Sequence, residues 1–128
     1  LKTLYASGIR EINWEELLAQ ISEEQKVNPK DKLFIQSLIR QLLEHEEKID
    51  ELIKGKLEHW DFKRLNSVDR IILRMGVCEM LYFPDIPLKV SIDEAIELAK
   101  KFSSPEAGKF VNGILDAIAK SNKEILAK

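Results

Sequence analysis

The sequence predicts an all-α fold, and three features carry that expectation. Apolar residues recur at spacings of three and four from one end to the other, the period of helices that bury one stripe. Runs alternating apolar and polar residues, the mark of a half-buried strand, are almost absent. All 4 prolines fall where helices should begin or be joined, most beside a capping residue. Those are the places where a residue with fixed φ and no N–H does least harm.

Seven helices follow from this pattern. Leu1 to Ser7 reads as the remainder of a first helix, with Leu1, Leu4 and Tyr5 on one face. Asn13 is placed to cap a second, where Glu15 and Glu16 complement the N-terminal dipole and Trp14, Leu17, Leu18 and Ile21 face inward. Asn28-Pro29 opens a third, striped by Leu33, Phe34, Leu38, Ile39, Leu42 and Leu43. The charged run Glu44 to Lys48 marks a bend or solvated turn. A fourth stripe of Ile49, Leu52, Ile53, Leu57 and Trp60 follows it, weakened toward its end by Gly55. Asn66 or Ser67 then caps a helix that is apolar nearly all round, from Val68 to Leu81, as a central and multiply contacted helix would be. Gly76 inside it predicts a close helix approach, since glycine there otherwise costs about 1 kcal/mol relative to alanine. Pro84-Asp85-Ile86-Pro87 is a rigid connector. Ser91-Ile92-Asp93-Glu94 has the form of a capping box and starts a sixth helix with Ile92, Ala95, Ile96, Ala99 and Phe102 inward. Ser104-Pro105-Glu106 caps the seventh, with Phe110, Val111, Ile114, Leu115 and Ile118 inward, and the tail after Ser121 is expected to fray.

Length and composition bound what these helices can do. A chain of 128 residues, 45% hydrophobic and 33% charged, buries roughly two-thirds of its unfolded surface and supports one domain over residues 1–128 without a metal or disulfide. Cys78 is the sole cysteine, so no internal disulfide forms and a reducing, cytoplasmic setting is expected. The most apolar stretch, Val68 to Phe83, is interrupted by Asp69, Arg70, Arg74 and Glu79, which excludes a membrane span of about 20 apolar residues there. A net charge of -2 argues against coating nucleic acid by bulk charge. Its distribution is uneven: 9 basic against 12 acidic residues through Trp60, then 11 against 10, so an anion site belongs in the second half.

The chemical search comes back mostly empty. His45 and His59 have no metal-ligand spacing, Cys78 lacks a histidine partner at readable spacing, and Gly55-Lys56 and Gly108-Lys109 lack the loop of a phosphate cradle. No cofactor, metal or catalytic residue is expected. Arg74, Glu79 and Glu94 stand among apolar residues and are read as an ion pair or helix-end contact that fixes docking. Lys100, Lys101 and Lys109 flank the Ser103-Ser104-Pro105 turn beside Phe110. Cations, helix-end amides and an aromatic ring suit phosphate and base contacts; the competing reading is a solubilising rim with Phe110 in the core.

Three strings then point to a family: W-D-F-K-R-L-N-S-V-D-R-I-I-L-R-M-G-V-C-E-M-L-Y from Trp60, D-I-P-L-K-V-S-I-D-E-A-I-E-L-A-K-K-F from Asp85, and G-K-F-V-N-G-I-L-D-A-I from Gly108. Together they closely resemble the NusB family of bacterial transcription antitermination factors, densely from Leu57 to Ala119 and more weakly before it. The resemblance implies two packed helical sub-bundles and a non-catalytic role. It also implies a complex with NusE, a small-subunit ribosomal protein. That pair would bind boxA RNA and join the RNA polymerase antitermination complex during ribosomal RNA transcription. By match of position, Tyr5, Glu106, Lys109 and Phe110 fall on the RNA surface with Lys101 beside them, which leaves Phe110 either core or RNA contact. Asp69 and Arg70 match positions near the NusE contact. The family's arginine-rich segment at the start of the first helix is not in the sequence, where only Lys2 and Arg10 are basic among the first ten residues, so weak RNA binding by the chain alone is expected. Two departures, Ser103-Ser104-Pro105 in place of a glycine-containing link and Gly108 in place of a polar residue, fall within the RNA surface. An accessory domain of an rRNA cytosine methyltransferase and a protein-interaction module without RNA binding are the alternative functions, and a homodimer covering the RNA surface is the alternative to a monomer.

Overall fold

A computed structural model describes residues 29–58 and 61–127, and among them every regular element is helical. The order is α1 (Pro29–Glu44), α2 (Glu46–Lys54), a 3-10 turn (Phe62–Arg64), α3 (Ser67–Tyr82), α4 (Leu88–Phe102), α5 (Pro105–Lys120) and α6 (Lys123–Leu126). The helices expected over Leu1 to Ser7 and from Asn13, and with them Tyr5, lie outside the described residues.

α3 is the centre. Val68, Ile71, Ile72, Leu73, Gly76, Val77, Cys78, Glu79 and Met80 are all buried on it, because α4 and α5 pack on it and on each other while α1 and α2 rest against it as well. Local chemistry sets its start: the Asn66 side chain accepts the Val68 N–H at 2.8 Å, satisfying one of the four amides a helix start leaves unpaired. Gly76 does what its place in the sequence predicts. A Cβ there would sit 2.9 Å from Cδ1 and 3.2 Å from Cδ2 of Leu115, so α3 and α5 approach too closely for any larger residue to be accommodated without a shift.

The break between α1 and α2 comes at His45, within the expected charged bend, with φ -119 and ψ 21. The His45 ring stacks on Tyr82, centroids 3.9 Å apart, and Phe34 packs at a tilt on Phe83 with centroids at 5.3 Å, so α1 and the bend both lean on the end of α3. α2 ends at Lys54, one residue before Gly55.

Two expectations about helix ends need correction. The sixth helix of the sequence does not start at a Ser91 cap: α4 begins at Leu88, after Pro87 in extended conformation. Ser91 is buried instead, and its hydroxyl donates to Glu79 Oε1 at 3.1 Å; a partner on α3 takes the side chain away from its own backbone. Nor is the tail after Ser121 without structure. It turns once more as α6, pinned by fully buried Ile125 and tied to α2 by Lys48 and Glu124 at 3.4 Å.

Candidate nucleic-acid interface

α4 and α5 are joined by two residues, Ser103 and Ser104. Both donate their backbone N–H to the Ala99 carbonyl, at 2.9 and 3.1 Å, which closes α4. Ser104 then turns extended and its Oγ accepts the Ala107 N–H at 3.1 Å, with Pro105 in the first position of α5. The predicted cap is therefore present, and it makes a tight corner. Onto this corner the fold brings Lys100, Lys101, Glu106 and Lys109, all exposed, and Phe110, half-buried against the core. Of the expected RNA residues in the described part, all four are gathered there.

Gly108 has a packing reason. It is buried, and a Cβ on it would meet Cγ of Lys100 at 3.0 Å and Cε at 3.1 Å. The lysine's aliphatic stem thus lies across the first turns of α5, where the charged end stays in water while the stem covers apolar surface. The rim holds three ammonium groups and one carboxylate beside the amide-rich end of α5, whose partial positive charge adds to theirs. Phe102 departs from expectation. Helical spacing places it inward, yet the residue is 44% exposed, and Lys101 Nζ stands 5.3 Å from its ring centroid.

Asp69 and Arg70 occupy the first turn of α3, on a different element. Asp69 Oδ1 is buried and has no hydrogen-bond partner among the described residues. The Arg70 guanidinium reaches the Phe62 and Lys63 carbonyls and Ser67 Oγ at 3.3 to 3.5 Å, so it ties the 3-10 turn to α3. Arg74 is bidentate to Asp50, Nε–Oδ1 2.8 Å and Nη2–Oδ2 3.0 Å, and lies 5.2 Å from the Phe62 centroid. The docking role expected for Arg74 and Glu79 holds, but their partners are Asp50 and Ser91; Glu94 is exposed. Sequence reasoning missed Asp50 and Phe62, because a contact 24 residues apart leaves no mark in local spacing.

Cys78 is fully buried and its thiol contacts the Leu38 carbonyl at 3.8 Å. Burial first, and the Glu79 carboxylate second, push the thiol up to about 12. Alkylation by iodoacetamide at pH 8 is therefore expected only on unfolding, at a rate that follows denaturant; rapid labelling of the folded chain would contradict the burial. Since the unfolded thiol ionises near 9 and the folded one near 12, stability should fall as pH rises between those values, by about 1.4 kcal/mol per unit. Among the described residues no cluster suits a metal ion and no helix is long and apolar enough to cross a membrane.

The NusB family model matches residues 1–120. The chain belongs to the NusB family. The transcription antitermination protein NusB of Geobacillus kaustophilus is 41% identical over 118 residues, 92% of this chain and 88% of that protein. Among solved structures, NusB of T. maritima superposes with a TM-score of 0.74 at 45% identity, over 85% of this chain and 80% of that one. A second, of antitermination factors NusB and NusE in complex with dsRNA, gives 0.79 at 33% identity, over 94% and 89%. In this chain the serine link and Gly108 both have structural roles: the first caps α5, and the second seats Lys100.

Proposed function

We propose that this NusB-family chain is a non-catalytic adaptor that binds boxA-type RNA together with the ribosomal protein NusE and serves transcription antitermination of ribosomal RNA in the cytoplasm, residues 1–128 acting as one domain. The observation that carries it is the α4–α5 corner, where Lys101 and Lys109 offer cations and Phe110 a half-buried ring beside a helix start. A structural relative that holds NusE and dsRNA supports the same reading. Glu106 would repel phosphate, so its part is to accept from base amino groups. Asp69 and Arg70, half-buried together in the first turn of α3, suit a NusE contact made through the part of each side chain that reaches the surface.

Fluorescence anisotropy with a boxA-type RNA tests this. Binding is expected to tighten markedly when NusE is added and to weaken with salt, because phosphate contacts release counterions. No gain with NusE would overturn the adaptor role in favour of a protein-interaction module. Within the complex, Lys109→Ala should weaken binding and lower the salt slope by about one. Phe110→Ala should weaken RNA binding by about 1 to 3 kcal/mol if the ring stacks on a base. Loss of thermal stability with RNA affinity retained would assign that ring to the core.

A further inference from the structure

We infer that Phe102 is a base-stacking platform, a second aromatic contact for single-stranded RNA that extends the rim beyond Phe110 to the end of α4. This rests on the RNA reading above and adds a residue to it. Four large apolar side chains are exposed among the described residues, and the others, Leu33, Val90 and Leu126, lie away from the corner in sequence. Phe102 alone sits in the last turn of α4, two residues before the Ser104 cap.

Packing does not explain the ring. Phe102 is an exposed residue and, among the described residues, stands outside the apolar cluster and the half-buried residues packed on it. What meets its face is a cation: Lys101 Nζ is 5.3 Å from the ring centroid. A ring with an ammonium at its face is arranged for a nucleotide, since the base can lie on the ring while the ammonium moves to the phosphate attached to it. The backbone beneath the ring is also held in place. Its peptide lies in a corner fixed by two N–H donors on the Ala99 carbonyl, so little backbone freedom is lost on binding. Because every base presents a flat π-face, the contact carries affinity and little sequence preference.

The test compares Phe102→Ala, Phe102→Leu and Phe102→Trp in the complex with NusE on boxA-type RNA. Alanine and leucine should each weaken RNA binding about 5- to 100-fold, with the salt slope unchanged because no charge is lost. Tryptophan should keep the affinity, and its added fluorescence, above that of Trp14 and Trp60, should be quenched by RNA. Lys101→Ala, by contrast, should lower the salt slope. Thermal midpoint and NusE binding without RNA should not move in any of the three Phe102 variants. If the parent complex binds RNA and the alanine and leucine variants bind equally well, the platform is wrong while the adaptor role stands. If the parent complex binds no RNA, both fall.

Discussion

Leu115→Ala is expected to destabilise the chain by about 3 kcal/mol, the cost of lost burial plus a cavity that rigid surroundings cannot close. Leu115 is fully buried on α5 and its methyl groups lie over Gly76 of α3, so one wall of the cavity is the α3 backbone, which cannot move in to fill it as a side chain could. The informative measurement is a cycle with Gly76→Ala. In the parent chain, that change sets a Cβ 2.9 Å from Leu115 Cδ1; overpacking of about 1 to 3 kcal/mol outweighs or cancels the ~1 kcal/mol that alanine gains over glycine within a helix. In the Leu115→Ala background the clash is gone and the same change should stabilise by about 1 kcal/mol. Urea denaturation of the four proteins reads the sign reversal directly, and additive effects would mean that the two positions do not meet.

Asp50→Ala should give the second large loss, about 2 kcal/mol. The pair with Arg74 is bidentate, and the two side chains are only 12% and 15% exposed. Removal of the carboxylate strands a guanidinium with little water around it. Fully buried pairs lose about 3 to 5 kcal/mol on such a change, and the residual exposure here lowers the figure. The double variant Asp50→Leu, Arg74→Met should lose less than Asp50→Ala alone, since no charge is then left behind. A double variant as unstable as the single would mean that the ion pair is not what holds α2 to α3. The exposed Lys48–Glu124 pair at 3.4 Å is the contrasting case, worth under about 1 kcal/mol.

Local chemistry was the legible part of this fold. Asn66, Ser104 and the bend near Glu44 mark helix ends through side chains that serve their own neighbouring backbone or solvent, so their spacing alone announces them. Ser91 shows the limit: the S-x-x-E pattern is present, yet Glu79 on another helix competes for the hydroxyl and wins, and an extended Pro87 starts α4 without any side-chain cap. α6 was missed because four residues cannot display a period; one buried isoleucine holds them. The corner residues Lys101, Glu106, Lys109 and Phe110 could be marked in advance because they are close in sequence. Phe102 could not be, because periodicity puts it on the inner face of α4, whereas at this last residue of the helix the side chain stays exposed.

The link between α4 and α5 has a consequence for how such a surface can evolve. With only Ser103 and Ser104 between the helices, both tied to Ala99, the separation of the charges on the two sides is a property of chain length. Exchanging side chains there can grade affinity up or down in small steps. A single inserted residue would instead turn α5 about its axis relative to α4 and scatter the whole set at once, so change at this corner is open by substitution and closed by insertion.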